Sequence, residues 1–394
     1  MLTSREIKIV KATSPVLDSA GVDITKYFYN RMFSCNPELK NIFNMSNQES
    51  GKQPFALFSA ISTFSKNIDN LPALDPLIER VAQKHTSYFI QPEQYEIVGD
   101  HLLATLVEVM PDTFTSEVID AWQRAYNLFA KLLIEREYEL YDFSRNTLGG
   151  WHGPRQFIVE DKTVESELVT SFLLRPEDGN GVIDYQPGQY LGIRVKPPKH
   201  EYLEIRQYSL SDKPNSATYR ISVKRESQPR DGIVSSYLHE TVEVGDILEA
   251  YPPSGAFFLK DSIKPIVLIS AGVGLTPLLS MLESIHEKEP DRKITFLHAC
   301  EKEEQHSFKE RLAELSSVNS NIKHYYWYAS GAKGNSFSGL MHLDFIREQL
   351  PITQGDFYLC GPTGFMKNIK EQLMELGVDS GRIFYEVFGP HSDI

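Results

Sequence analysis

Apolar positions recur every three or four residues through roughly the first 145 residues. Leu77, Val81 and Tyr88 keep that spacing, as do Leu102 and Leu106, and then Trp122, Tyr126, Phe129 and Leu133. A period near 3.6 predicts amphipathic helices. Pro37, Pro72, Pro92 and Pro111 punctuate them, and Thr3-Ser4-Arg5-Glu6 reads as a capping box at the first helix start. Helices in succession without strands predict an all-α unit.

The pattern breaks at Asn146-Thr147-Leu148-Gly149-Gly150. From Phe157 to about Phe258 short apolar runs follow one another: Phe157-Ile158-Val159, Leu168-Val169-Thr170, Tyr190-Leu191-Gly192-Ile193 and Tyr219-Arg220-Ile221-Ser222-Val223. Turn signals such as Pro176-Glu177-Asp178-Gly179 separate them, which predicts a small antiparallel barrel. From Pro265 strands alternate with helices. Ile266–Ile269, Ile294–Leu297 and Asp356–Leu359 each lead through a loop into a helical run. That alternation predicts a parallel sheet, whose ligands bind beyond the carboxyl ends of its strands. The expected organisation is a helical domain over 1–145, a linker over 146–152, a barrel domain over 153–259 and an α/β domain over 260–394.

Composition narrows the classes. Of 394 residues, 41% are hydrophobic and 24% charged, which fits a folded globular chain. The net charge of −13 repels phosphate backbones and argues against general nucleic-acid binding. Cys35, Cys300 and Cys360 lie far apart with no CxxC, so neither a disulfide framework nor a cysteine-ligated zinc or iron–sulfur centre is expected. The pattern suits a reducing, cytoplasmic setting, and the first six residues lack the apolar core of a signal peptide. Pro265 to Leu282 is the most apolar stretch, but Gly272, Gly274 and Pro277 divide it into strand, tight loop and helix, so no membrane anchor is expected.

Several constellations carry chemistry. His85 stacks on Leu77 and Val81 at four-residue spacing, so it faces the core and needs a partner there. By itself such a histidine is more often a packed core residue than a ligand. Phe28-Tyr29-Asn30-Arg31-Met32-Phe33 and Phe43 form an aromatic-rich cluster, with Gln53 and Leu57 following. A hydroxyl and an amide in an apolar pocket suit a small polar ligand. Arg206-Gln207-Tyr208-Ser209 reads as a strand offering a guanidinium for phosphate and a ring for stacking. Pro187-Gly188-Gln189-Tyr190 adds another ring, and Gly232-Ile233-Val234-Ser235 offers small residues for backbone contact with phosphate. Gly272-Val273-Gly274-Leu275-Thr276-Pro277 follows a buried strand and opens a helix, where amides favour anions. Cys360-Gly361-Pro362-Thr363-Gly364 repeats that arrangement, and two such loops point to a dinucleotide crevice. Cys360 has no evident histidine partner for covalent catalysis.

Taken in order, PGQY, RQYS, GVGLTP, CGPTGFM and Phe388-Gly389-Pro390 resemble the ferredoxin–NADP reductase-like flavoprotein module. FYNRMF, NPELKNIFNMSNQ, KHTSY and QPEQY resemble the globin half of bacterial flavohaemoglobins. The whole chain is thus similar to the flavohaemoglobin family. The resemblance implies a multidomain α, β and α/β architecture: an all-α globin domain, an antiparallel β-barrel FAD domain and a parallel-sheet NAD(P)-binding domain. It implies haem b, FAD and NADH or NADPH as cofactors. His85 would be the iron ligand, backed by Tyr95 and Glu135. Tyr29 and Gln53 would line the other haem face, Leu57 and Phe43 would enclose it, and Lys84 and Glu386 would lie near the haem–flavin contact. Arg206, Gln207, Tyr190, Tyr208 and Ser209 would hold the flavin, with Gly232, Val234 and Ser235 near its phosphates. Gly272, Val273, Gly274, Leu275, Thr276 and Pro277 would hold the nicotinamide nucleotide. Val387, Phe388, Gly389 and Pro390 would close over the flavin, Phe388 by stacking.

The function so implied is nitric oxide dioxygenase. Electrons pass from NAD(P)H to FAD to haem, and dioxygen held there oxidises nitric oxide to nitrate. The partners are then two small gases, with no nucleic acid or membrane anchor, and the chain is expected to be a monomer. Glu301, after the second strand of the last domain, would accept a ribose hydroxyl and repel a 2′-phosphate, which favours NADH. Two other readings stay open from sequence: a dioxygen store or sensor, and a flavin-dependent reductase whose helical half is structural.

Overall fold

The computed structural model describes residues 2–19, 21–43, 45, 52–198, 200–228 and 230–389, with backbone alone at 17–19, 21–23 and 52–55. The chain forms two compact units. One comprises Met1–Gly153 with Arg194–Arg206, the other Pro154–Ile193 with Gln207–Ile394.

The first unit is helical: α1 (Ser4–Ser19), α2 (Gly21–Cys35), α3 (Lys52–Lys66), α4 (Asp75–Thr86), α5 (Pro92–Val109) and α6 (Ser116–Asn146). Local signals set the boundaries. Thr3 N–H donates to Glu6 Oε2 at 2.7 Å and Glu6 N–H to Thr3 Oγ1 at 3.3 Å, the reciprocal cap expected for α1. Pro92 opens α5, where its missing N–H leaves no helical bond unmade. The apolar stripes meet in one core that includes Phe28, Met32, Phe64, Leu106, Trp122 and Phe129. Gly99 of α5 lets α6 come close, since a Cβ there would stand 2.4 Å from the Tyr126 ring. Leu203 N–H donates to Asn41 Oδ1 at 2.9 Å within this unit, although 203 falls in the span that sequence patterning gives to the barrel.

The second unit holds the strands, except that Arg194–Val195, the end of one, and Glu204–Arg206, the start of the next, group with the first. β1 (Arg155–Val164), β2 (Val169–Pro176), β3 (Tyr190–Val195), β4 (Glu204–Ser209), β5 (Tyr219–Lys224) and β6 (Ile247–Ala250) form a sheet in the order β4-β3-β6-β1-β2-β5. An antiparallel bridge between Leu210 and Ile221 links the chain just after β4 to β5, joining the two edges of that order. Tyr219, Ile221 and Val223 are buried at alternate positions of β5, as a half-buried strand requires. Helix α7 (Ile233–Glu240) lies between β5 and β6 in sequence.

The parallel sheet follows with β7 (Ile266–Ala271), β8 (Ile294–Cys300), β9 (Ile322–Tyr328), β10 (Phe337–Ser338), β11 (Asp356–Cys360) and β12 (Ile383–Glu386). Its order is β10-β9-β8-β7-β11-β12, so the order reverses between β7 and β11. Helices α8 (Leu275–Lys288), α9 (Lys309–Val318) and α10 (Thr363–Glu375) connect or follow these strands. Ligands bind at such a reversal, outside the strand ends.

Candidate functional site

In the helical unit the site begins at the end of α4. The last turn stops because Phe89 takes a left-handed φ of 57°, and the Ile90 N–H returns to the His85 carbonyl at 3.2 Å. His85 stands in that turn with its ring held from one side. Its Nδ1 lies 2.8 Å from the Tyr95 hydroxyl and 2.8 Å from Glu137 Oε1. Tyr95 comes from α5 and donates its hydroxyl directly to the same Glu137 oxygen. Tyr126 donates to the Tyr95 carbonyl at 2.6 Å, so the close α5–α6 crossing fixes Tyr95 as well. Burial, and then the Glu137 charge, push the Tyr95 hydroxyl far above its ordinary range, so it remains a donor.

With Nδ1 engaged by an acceptor, the imidazole keeps Nε2 for something else. Nε2 makes no hydrogen bond among the described residues, and the side chain is about one-third exposed (32%). A carboxylate behind one ring nitrogen and a free second nitrogen is the arrangement of a metal-ligating histidine. The residues present therefore fit an iron held through His85.

The carboxylate here is Glu137, not Glu135, and this corrects the sequence expectation. On a helix, residues two positions apart point about 200° away from each other. Glu135 consequently points to solvent and pairs with Lys131 at 3.6 Å, while Glu137 is 2% exposed. The signal was present in the sequence. Phe129, Leu133 and Glu137 are spaced by four, so the acidic residue continues the buried stripe of α6.

The aromatic cluster forms around Tyr29 of α2. Its ring centroid lies 4.8 Å from that of Phe28, 5.8 Å from Phe33 and 5.9 Å from Phe43. Leu57 and Phe43 pack half-buried against the same core. Lys84 occupies the last turn of α4 and is half-buried. The Gln53 side chain lies outside the described residues. His101 is a satisfied core histidine, 2.5 Å from Arg31 and 2.9 Å from Asn36.

In the second unit two glycine loops meet at the sheet reversal. Gly272 has a φ of +53° with open space where a Cβ would stand. Gly274 is the reverse case, because a Cβ would lie 2.3 Å from the Cys360 carbonyl oxygen. The first glycine thus leaves room above the loop and the second lets the loops after β7 and β11 touch. Val273 is half-buried, and Leu275, Thr276 and Pro277 form the first turn of α8, where Thr276 Oγ1 donates to the Val273 carbonyl at 2.9 Å. A glycine turn that opens a helix in this way suits a diphosphate, whose charge the helix amides favour. Cys360 is fully buried, and burial pushes its thiol well up, so it is no nucleophile.

Further candidate binding residues named from the sequence stand on the barrel. Tyr190 opens β3 with its ring over Gly255, where a Cβ would come within 2.9 Å. Gln207, Tyr208 and Ser209 end β4, with Ser209 buried. Arg206 lies 2.8 Å from Glu204 and donates to the Ile205 carbonyl at 2.9 Å. Gly232 precedes α7, and a Cβ there would meet Ser235 Oγ at 2.4 Å. The first-turn amides of α7, including Val234 and Ser235, have no helical acceptor and so suit a phosphate. After β12, which ends at Glu386, Val387 is buried, Phe388 is 47% exposed and Gly389 has a φ of +125°. An exposed ring beside a left-handed glycine is free to cover a flat ligand. Pro390 lies outside the described residues.

Comparison with known proteins agrees with this division of labour. The chain matches the globin family over residues 26–133, the oxidoreductase FAD-binding domain over 156–259 and the oxidoreductase NAD-binding domain over 268–371. A flavohemoprotein of Vibrio cholerae is 50% identical over 396 residues, covering 100% of both chains. The crystal structure of a flavohemoglobin from Malassezia yamatoensis with bound FAD and heme superposes with a TM-score of 0.88 at 27% identity, covering 98% of this chain and 100% of that one. The crystal structure of the FAD/NAD binding domain of nitric oxide dioxygenase from Vibrio cholerae is 47% identical with a TM-score of 0.58, covering 60% of this chain and 99% of that one. With a globin domain followed by FAD-binding and NAD-binding oxidoreductase domains, and half its residues shared with a full-length relative, the chain belongs to the flavohemoprotein family and is an oxidoreductase of that construction.

Proposed function

We propose that the chain is an NAD(P)H-dependent nitric oxide dioxygenase, converting nitric oxide and dioxygen to nitrate. The observation that carries the reading is the Glu137–Tyr95–His85 relay in the same polypeptide as a complete FAD/NAD reductase. A simple dioxygen store needs no dedicated electron supply. The Vibrio cholerae relative whose reductase domain matches at 47% identity comes from a nitric oxide dioxygenase. When bound, nicotinamide supplies a hydride, flavin divides the electron pair and haem iron takes single electrons and binds dioxygen.

The chain's own residues set the conditions. Glu137 accepts a hydrogen bond from His85 Nδ1–H, which makes Nε2 a stronger electron donor toward iron. Tyr29 brings a hydroxyl into an otherwise apolar ring cluster, where it donates a hydrogen bond to a bound diatomic as negative charge develops. Gln53 is its proposed companion. Phe43 and Leu57 exclude water. Arg206, Gly232, Val234 and Ser235 hold flavin phosphate, Gln207 and Ser209 bond the flavin ring, and Tyr190, Tyr208 and Phe388 pack on it. Gly272 to Pro277 hold the nicotinamide nucleotide, and Lys84 and Glu386 guide electrons onward. Glu301, exposed after β8, disfavours a 2′-phosphate, so KM for NADH lies below that for NADPH.

The test is an anaerobic optical spectrum before and after NADH, then with carbon monoxide, followed by an NO-consumption assay. Flavin bleaching, a shift of the haem bands to ferrous and NADH use that depends on NO are expected. Reduction of both groups without NO-dependent turnover would leave a dioxygen store or sensor. The Tyr29→Phe variant is expected to release dioxygen faster and to consume NO more slowly, and an unchanged off-rate would remove Tyr29 from this role.

A further inference from the structure

Within the second unit, the turn between β1 and β2 reaches the loop that follows β8. The turn itself is tied down. Glu165 N–H and Ser166 N–H both donate to the Val169 carbonyl, at 2.9 and 3.2 Å, and Arg225 N–H donates to the Leu168 carbonyl at 2.8 Å. From this turn Glu167 N–H donates to the Glu304 carbonyl at 3.0 Å, and the Ser166 and Ser307 hydroxyls lie 2.9 Å apart. Arg220 of β5 adds its guanidinium 5.1 Å from the Phe308 ring centroid. The chain after β9 holds the same loop: Ser330 donates to the Glu301 carbonyl from its N–H at 2.8 Å and from its hydroxyl at 3.1 Å.

These bonds decide where the loop's charges go. Residues 301–304 read Glu-Lys-Glu-Glu. Lys302 Nζ lies 2.7 Å from Glu167 Oε2, and Gln305 Nε2 donates to the same oxygen at 3.4 Å. Lys309, the next lysine, pairs with Glu303. The bond between Lys302 and Glu167 holds the carboxyl below and the ammonium above their ordinary values, so both are charged at neutral pH. Half-exposed pairs of this kind add little to stability. The consequence lies in charge placement. The ammonium next in sequence to Glu301 is occupied by a carboxylate that comes from the barrel. A ribose hydroxyl is satisfied by an acceptor, whereas a 2′-phosphate calls for a cation.

We propose that Glu167 is a specificity-determining residue: by engaging Lys302 it keeps that ammonium from a 2′-phosphate and so reserves the loop after β8 for NADH. The inference rests on the proposed placement of the nucleotide's ribose at Glu301 and adds a second carboxylate, supplied by the other sheet of the unit. It concerns nucleotide choice alone and stands apart from nitric oxide as substrate.

The experiment is equilibrium titration of the holoenzyme with NADP+ and with NAD+, followed by the flavin difference spectrum, with anaerobic flavin reduction by NADPH and NADH on the same samples. Glu167→Gln keeps the backbone bonds of the turn and releases Lys302. Its Kd for NADP+ is expected to fall about fivefold, the scale of a contact between half-exposed charges, while Kd for NAD+ changes by less than about twofold. The gain for NADP+ shrinks as salt is raised. Adding Lys302→Gln to Glu167→Gln removes it, because the freed ammonium is its source. A turn that merely braces the loop gives a different result, since loosening it weakens both nucleotides together. An unchanged Kd for NADP+ in Glu167→Gln, equal changes for NADP+ and NAD+, or a gain that persists without Lys302 overturns the proposal. Should Glu167→Gln fail to fold, Glu167→Ser decides the matter by the same comparison. An unmodified protein that binds NADP+ as tightly as NAD+ contradicts the preference assigned to Glu301 instead, and the ratio between variant and unmodified protein still decides Glu167.

Discussion

Replacing one oxygen of Glu137 by an amide nitrogen keeps its size and removes its charge. A hydrogen bond to a charged group is worth about 1.5–3 kcal/mol and a neutral one about 0.5–1.5 kcal/mol. Glu137→Gln therefore weakens the pull on His85 Nδ1–H by about 1 kcal/mol. The proposed iron site loses electron density, and its midpoint potential rises by about 40 mV. Glu135→Gln, two positions away on the solvent side, leaves the potential where it was. Potentiometric titration of both variants checks the pair, and equal shifts would detach Glu137 from the iron. Residue scale is also where the sequence was hardest to read. His85 and Tyr95 were legible because KHTSY and QPEQY resemble known motifs, but which of two nearby glutamates faces inward depends on helical phase. Extending the Phe129–Leu133 stripe by four residues settles that phase.

At the scale of elements, the loop after β7 shows why two glycines separated by a single residue are not equivalent. Gly272→Ala meets no neighbour but places a side chain at a φ of +53°, a conformation costing about 1–2 kcal/mol for an ordinary residue. Gly274→Ala drives a methyl group to within 2.3 Å of the Cys360 carbonyl oxygen, which backbone hydrogen bonding of β11 holds in place. Overpacking of this kind costs about 1–3 kcal/mol and displaces the α8 start. Gly274→Ala is therefore expected to raise the KM for NADH and lower the Tm, both more than Gly272→Ala. A KM for NADH unchanged in Gly274→Ala would show that the loop does not touch the nucleotide. Helices, strands and their order were legible because period and punctuation are local. The β3–β4 connection was not, because its association with the helical unit through Leu203 and Asn41 joins residues 162 positions apart. No local pattern encodes such a contact.

At the scale of the whole molecule, each unit has a core of its own, the helical one around Trp122 and Phe129 and the parallel sheet around Leu268, Phe296 and Tyr358. Removing a side chain from one core leaves the packing of the other intact. His85→Ala deletes the one side chain proposed to ligate iron, a residue of the helical unit. NADH is then expected to bleach the flavin at the unmodified rate, since the residues proposed to hold flavin and nicotinamide, Tyr190, Tyr208 and the Gly272–Pro277 loop among them, are unchanged. NO-dependent NADH oxidation falls to background, because electrons reaching the flavin have no iron site to enter. Stopped-flow flavin absorbance and an NO electrode on the same preparation separate these steps. Loss of flavin reduction in His85→Ala would mean that the helical half shapes the reductase, and retained NO consumption would place that chemistry at the flavin. Loss of one activity with the other kept is the signature of a chain that couples two independent folds by electron transfer.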